Sequence, residues 1–258
     1  TRISAEISVT VSPVPVDSIS VDGDDEIMTI GDCITKHLDS ISAKLIEMGI
    51  NVEENDAGDA AVTAFISRFY GDVTVCATPT ADRAELEMFL QTIGYSGLVS
   101  NIPFFDISVD GHIMCLEQGN ACTAAVSNDK TQITENGSLK EFYELLSKNY
   151  PDNVFSRYED WLVDLSHRVR HGVSETAVLR CDGENVATAA ALSITDRAVL
   201  LGAISVNPNQ RGRHFAHTLV KHFADKFRDR TVYIMCKPDK IGLYEKAGFK
   251  NIDEFYRK

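Results

Sequence analysis

Three apolar runs follow one another in the second half of the chain: Glu175 to Cys181, Val186 to Ile194 and Ala198 to Val206. They are separated by little more than Asp182-Gly183 and Thr195-Asp196. Asp-Gly between two apolar runs is a tight hairpin signal, because both central residues of the favoured turn need positive φ. The segment is therefore expected to be an antiparallel meander. After Arg211 the pattern changes to Phe215, Leu219, Val220, Phe223 and Phe227, one face of an amphipathic helix. A strand from Thr231 to Met235, a short helix and a last strand around Phe249 to Phe255 complete the pattern. Strands that first meander and then alternate with helices predict a mixed, mostly antiparallel sheet flanked by helices, an α+β fold.

Upstream, Leu139 to Leu146 and Tyr158 to Val169 have helical spacing, the latter through Trp161, Leu162, Leu165 and Val169. Asn149-Tyr150-Pro151-Asp152 breaks the chain between them. Residues 119–138 are rich in Ala, Ser, Thr, Asn, Asp and Gly, which reads as a connecting loop with a module boundary near 125. Two modules are expected, 1–125 and 126–258. In the first, Ile7, Val9 and Val11 alternate as an edge strand before Pro13 and Pro15. Helices are expected over Ile34 to Met48, Ala60 to Phe69 and Arg83 to Ile93. Short strands are expected at Val73 to Ala77, Phe104 to Val109 and His112 to Leu116.

Charge is distributed unevenly. The 258 residues carry a formal net charge of −13, yet Arg197 to Lys258 holds thirteen Lys and Arg against six Asp and Glu. That surplus of seven positive charges leaves −20 on residues 1–196. A long polyanion would be repelled by such a body, so nucleic acid is not an expected partner. A small anion held at the C-terminal end is. No apolar stretch approaches the roughly 20 residues of a membrane span, and Thr1 to Glu6 has no signal-peptide pattern. Cys33, Cys76, Cys115, Cys122, Cys181 and Cys236 include no Cys-x-x-Cys pair. They read as reduced thiols of a cytoplasmic protein, with no metal site.

The chemistry is concentrated at Pro208-Asn209-Gln210-Arg211-Gly212-Arg213-His214-Phe215-Ala216, between a strand and a helix. Such a junction aims unpaired backbone N–H groups and the positive end of the helix dipole at one point, an anion site. Arg211 and Arg213 add charge there, and Gly212 and Ala216 leave room for a phosphate to approach the main chain. About thirty residues on comes Leu243-Tyr244-Glu245-Lys246-Ala247-Gly248-Phe249.

In this order the two motifs resemble the GNAT superfamily of acyl-CoA-dependent N-acetyltransferases. The likeness is firm from Ala198 to Phe255 and extends back to about residue 130. It implies acetyl-CoA as cosubstrate, with backbone N–H groups of Arg211, Gly212, Arg213, His214, Phe215 and Ala216 around the pyrophosphate. It also implies main-chain pairing of Ile204, Ser205 and Val206 with the pantetheine arm and acetyl carbonyl. Lys246 belongs to the second motif. Lys237 and Lys240 stand where the family has a common asparagine and a small alanine, and both are cations near the expected phosphates. Tyr244 corresponds to the tyrosine that often protonates the departing thiolate; a phenol with an intrinsic pKa of about 10 stays protonated until that moment.

Two departures are visible. His214 occupies a position that is usually glycine, and Ala198 to Val206 lacks the glutamate many members use as a base. Glu175, His167 and His171 are the nearest ionisable groups in sequence, and none is assigned that role. Phe89-Leu90-Gln91-Thr92-Ile93-Gly94-Tyr95 faintly echoes the Leu243 to Phe249 motif, so residues 1–125 are read as an α/β module of degenerate GNAT-like type. The resemblance implies an N-acetyltransferase acting on a small-molecule or peptide amine, as a monomer or homodimer. The other reading is a non-catalytic acyl-CoA-binding or protein-interaction module. The acceptor is expected to meet the Tyr158 to His171 helix and the loop after Lys148, which offer Tyr158, Trp161, Arg168 and His171. The acidic body leans toward a cationic acceptor.

Overall fold

The computed structural model describes residues 64–69, 72–127, 129–149 and 158–258. The strand expected at Ile7 to Val11, the helix at Ile34 to Met48 and Cys33 lie outside the described residues. The chain forms two compact units, Thr1–Gly111 with Asp253–Lys258, and His112–Ile252.

In the first unit, β1 (Ala64–Phe69) pairs antiparallel with β2 (Asp72–Ala77), and β2 pairs in parallel with β3 (Gly97–Ser100). The parallel pair is joined by α1 (Arg83–Ile93), capped by the Asp82 carboxylate, which accepts from the N–H groups of Ala84 and Glu85. Val73, Val75, Leu86, Leu90, Leu98 and Phe104 form its core. Two expectations fail here. Ala64–Phe69 is a strand, not the end of a helix, its residues matched one for one with Asp72–Ala77. The strand expected at Phe104 to Val109 is a turn, because Phe105 and Asp106 take left-handed φ in succession, 51° and 55°, which breaks the extended backbone. Only β4 (Val109–Leu116) resumes extended backbone.

Among the described residues, the sheet of the second unit begins with β4, and the strands from Thr131 to Cys236 follow in the spatial order Thr231–Cys236, Ala198–Val206, Glu184–Ile194, Glu175–Cys181, Thr131–Glu135. β6 (Glu175–Cys181), β7 (Glu184–Ile194) and β8 (Ala198–Val206) are the meander. Asp182 and Gly183 both have positive φ, 51° and 83°, as a two-residue hairpin requires. β5 (Thr131–Glu135) pairs antiparallel with β6, so residues 119–138 are not all loop. With one apolar residue, Thr-Gln-Ile-Thr-Glu has too weak an alternation to be read as a strand. The division between units at Gly111/His112 precedes the boundary read near 125, since Cys122 and Ala124 lie in the second unit's core.

Helix α2 (Leu139–Ser147) starts at Ser138, whose hydroxyl accepts from Glu141 N–H, and buries Phe142, Leu145 and Leu146. Helix α3 is Tyr158–Arg170 and α4 is Phe215–Lys226. α4 buries Phe215, Leu219, Val220 and Phe223, the face the spacing predicts. It carries the chain to β9 (Thr231–Cys236), which pairs in parallel with β8 and antiparallel with β4. A short α5 (Ile241–Glu245) leads into β10 (Lys250–Arg257). Gly94 after α1 and Gly248 after α5 both have positive φ, 62° and 94°, so the echo between the two halves reaches the backbone. Among the described residues no helix is long and apolar enough to cross a membrane.

Candidate functional site

The site begins with an irregularity in β8. Thr188 is opposite Ser205 and Ala190 is opposite Gly202, so β8 carries one residue more than β7 over this stretch. This is a bulge, and Ala203 within it takes φ 50°. Thr188 Oγ1 donates to the Ala203 carbonyl at 3.1 Å, steadying the bulge from the neighbouring strand. On the opposite edge, pairing with β9 runs only from Ala198↔Thr231 to Leu201↔Ile234. From Gly202 to Val206 that edge of β8 has no strand partner among the described residues. Backbone polar groups left this way are available to an extended ligand. Ile204 and Val206 pack against the main core, while Ser205, 4% exposed, turns to the other face.

A second bulge, in β7, shapes the face toward α2 and α3. Ala191 is opposite Leu201 and Ser193 opposite Leu200, leaving Leu192 extra. Its carbonyl accepts from Arg168 Nη2 and, at 2.7 Å, from Ser174 Oγ. Its side chain lies over Gly202, where an added Cβ would fall 2.4 Å from Leu192 Cδ1. A larger residue at 202 would therefore have to displace the Leu192 side chain.

Beyond β8 the chain makes one 3-10 turn, Pro208–Gln210, begun by Asn207, whose side chain accepts from Asn209 N–H at 3.3 Å. Gly212 has φ 82° and His214 has φ 61° with ψ 17°, both left-handed. His214 is the residue before α4 and makes no side-chain cap. A left-handed backbone at this position explains why glycine suits it, and histidine holds it at a steric cost. Helix α4 thus starts abruptly at Phe215, with the free N–H groups of its first turn facing the junction.

The two arginines of this turn have different duties. Arg213 is bound to Asp129, Nε to Oδ2 at 3.0 Å and Nη2 to Oδ1 at 2.9 Å. It also bonds Gln210 Oε1 and lies 4.9 Å over the Phe215 ring. Arg213 is a brace, and the Asp129 carboxylate offsets its charge. Arg211 is exposed and donates through Nη2 to Asn149 Oδ1 at 2.6 Å, beyond the end of α2. Of the two, Arg211 retains a guanidinium with no carboxylate on it among the described residues.

A segment that looked like connector ties these parts together. Lys221 donates to the Cys122 carbonyl at 3.0 Å, Thr123 N–H to the Ala247 carbonyl at 3.0 Å, and Thr123 Oγ1 to the Lys246 carbonyl at 3.0 Å. Ser127 N–H donates to Thr218 Oγ1 at 2.9 Å, and Ser127 Oγ to Asp129 at 2.8 Å. Residues 122–127 and Asp129 therefore strap α4, its preceding turn and the end of α5 into one body. Small polar side chains suit a strap of this kind, which is why its composition resembled a loop.

Tyr244 is 7% exposed, belongs to the same buried cluster that Ile204 and Val206 pack against, and meets Phe249 edge-on at 6.0 Å between ring centroids. His214 and His217 stack at 5.5 Å, with their Nδ1 atoms 3.3 Å apart. Burial holds the His217 pKa below its ordinary value, with His214 and Lys246 pushing the same way and the Leu243 carbonyl opposing. The two motifs thus meet at His217: the turn supplies His214, and the α5 motif supplies Lys246 and Leu243. Lys237, Lys240 and Lys246 are exposed, and Lys240 pairs with Asp239 at 2.6 Å.

Of the base candidates, Glu175 lies on β6, which β7 separates from β8, and His167 lies on α3. Glu175 is ion-paired with Lys226 at 2.5 Å, and His167 and His171 stack on each other at 4.2 Å. Of the acceptor-side residues, Arg168 is spent on Leu192. Tyr158 and Trp161 join Tyr143 in an aromatic group, with Tyr143 4.6 Å from Tyr158 and 5.0 Å from Trp161. The five described cysteines are free thiols, and burial raises the Cys76 pKa to about 11. Among the described residues no three His, Cys, Asp or Glu side chains gather where they could hold a metal.

Residues 139–249 match the model of the acetyltransferase (GNAT) family. A GCN5-related N-acetyltransferase from Kribbella flavida is similar in structure, with a TM-score of 0.54 at 13% identity over 85% of this chain and 94% of that one. A Drosophila protein gives 0.55 at 13% identity over 89% of each chain. A tandem GNAT protein from the clavulanic acid biosynthesis pathway gives 0.50 at 11% identity, over 77% and 79%. At these identities the structural likeness is one of fold. No curated protein matches the chain.

Proposed function

We propose, taking residues 139–249 as the GNAT-family acetyltransferase domain they match, that the protein moves an acetyl or short acyl group from acetyl-CoA to a primary amine. The carrying observation is the coincidence of two backbone features. β8 loses its partner after Leu201, and the chain then enters the turn at the start of α4. An extended arm ending in a pyrophosphate needs such a pair: main-chain groups along its length, then N–H groups and a helix dipole at its charged end.

In this reading the pantetheine arm takes the place of a strand along Ile204, Ser205 and Val206. The pyrophosphate sits at the N–H groups of 211–216, with Arg211 as the cation that carries no carboxylate and Arg213 holding the turn's shape. Lys237 and Lys246 contribute long-range attraction. The amine nitrogen attacks the thioester carbonyl, forming the C–N bond and an oxyanion held by a backbone N–H near Ser205. Collapse breaks the C–S bond, Tyr244 gives its proton to the thiolate, and the proton lost by the amine passes to water. The acceptor is a small molecule or peptide bearing an amine, entering from the side of α2 and α3.

The absence of an ionisable side chain on β8 supports a second reading, a module that binds acyl-CoA without turning it over. Calorimetric titration with acetyl-CoA, for the wild type and Arg211→Ala, followed by a thiol-release assay with a panel of amines, separates the two. Saturable binding that weakens about tenfold in the variant, together with turnover, supports the enzyme. Binding without turnover on any amine supports the module, and no binding at millimolar ligand removes both.

A further inference from the structure

Asn149, just beyond the C-terminal end of α2, touches both halves of the proposed site. Its Oδ1 accepts from Arg211 Nη2 at 2.6 Å, and its Nδ2 donates to Ser205 Oγ at 2.5 Å. Chemistry alone assigns this amide. A guanidinium can only donate, so the oxygen of Asn149 must face Arg211 and the NH2 must face Ser205. Ser205 Oγ therefore accepts, and its own proton must point elsewhere. Among the described residues no acceptor takes that proton, although Ser205 is 4% exposed. A buried hydroxyl with its proton uncommitted, beside the free edge of β8, is a donor held ready for a ligand.

We propose that Asn149 is a positioning residue that couples the anion-binding turn to the acyl end of the site. It fixes Arg211 for the CoA phosphates and, through the same amide, makes Ser205 an obligate hydrogen-bond donor toward the acyl carbonyl. The assignment rests on the acyl-CoA reading above. Its logic is directional: engagement of Arg211 sets the amide, and the amide sets the hydroxyl. Nothing in the sequence signals it, because 56 and 62 residues separate Asn149 from its two partners.

The competing role is structural, since Asn149 Nδ2 also lies 3.4 Å from the Leu145 carbonyl and helps close α2. Two double-mutant cycles distinguish these roles. In the first, acetyl-CoA affinity is measured for Asn149→Ala, Arg211→Ala and the pair. In the second, turnover with an active amine is measured for Asn149→Ala, Ser205→Ala and the pair. The coupling predicts that Asn149→Ala weakens acetyl-CoA binding and lowers turnover, each by about tenfold, and that the double variants are no worse than Arg211→Ala or Ser205→Ala alone. Thermal unfolding shows whether each variant is folded. Asn149→Ser keeps a group that can both donate and accept, and restores part of the loss if the amide acts by hydrogen bonding. Additive effects in both cycles, or folded Asn149→Ala with wild-type affinity and turnover, overturn the assignment while leaving the acyl-CoA reading intact. Wild-type protein that binds no acetyl-CoA overturns both.

Discussion

Arg213 and Asp129, 84 residues apart in sequence, form a two-point ion pair, with Nε and Nη2 at 3.0 and 2.9 Å from the two carboxylate oxygens. The Arg213 guanidinium holds the Asp129 carboxyl below its ordinary pKa, with Ser127 adding a second hydrogen bond. An arginine so engaged cannot serve a phosphate as a free cation does, although its main-chain N–H still can. The two arginines of the turn should therefore separate by experiment. Arg211→Ala should weaken acetyl-CoA binding more than Arg213→Ala does, and Arg213→Ala should lower the melting temperature more than Arg211→Ala. Equal losses of affinity with unchanged melting temperatures would show that the brace is not what Arg213 provides.

His214 stands at φ 61° immediately before α4. A left-handed backbone costs an ordinary residue about 1–2 kcal/mol. Glycine avoids that cost but has more freedom to lose on folding, about 0.5–1 kcal/mol. His214→Gly should therefore stabilise the protein by at most about 1.5 kcal/mol, read by urea unfolding. It should also leave acetyl-CoA affinity unchanged or raised, because the side chain beside the turn is removed. A loss of affinity would instead assign the imidazole a contact with the ligand.

Tyr244→Phe tests the acid. The ring packs edge-on against Phe249 and would remain in place, so only the hydroxyl is lost. Turnover should fall by about a hundredfold or more, as for other positioned proton donors, while acetyl-CoA affinity changes little. Unchanged turnover would return Tyr244 to a packing role.

Glu135 joins β5 to α4. Its Oε2 is 2.7 Å from Lys226 and its Oε1 is 2.6 Å from His222, while Lys226 also reaches Glu175. The Lys226 hydrogen bond is the main cause of a pKa below the ordinary 4.5. A carboxyl whose folded pKa is depressed contributes stability above its unfolded pKa, and that stability fades as pH falls through the folded value. Melting temperatures of the wild type and Glu135→Gln should differ at neutral pH, with the wild type higher, and should converge as pH drops below about 4.5. A gap that persists in acid would mean that the pair contributes by packing alone.

Much of the second unit was legible because its signals are local. Asp182-Gly183 announces a hairpin, and the spacing of Phe215, Leu219, Val220 and Phe223 announces a buried helix face. Both follow from backbone sterics and side-chain periodicity over a few residues. The errors have the same origin. Phe104 is fully buried but precedes two left-handed residues, so apolar content alone mistook a turn for a strand. Residues 122–127 have loop composition, yet they strap the site through hydrogen bonds to residues about 90 to 125 positions away. Thr131–Glu135 has little alternation of its own and is a strand because β6 pairs with it.

The sequence by itself determined the meander of the second unit, the buried face of α4 and the place of the turn before it, since these rest on interactions within a few residues. Only the tertiary structure decided which arginine is free at that turn, where β8 parts from β9, and which way the Asn149 amide points. Each of those depends on partners brought together across dozens of positions, whose geometry composition and spacing do not contain.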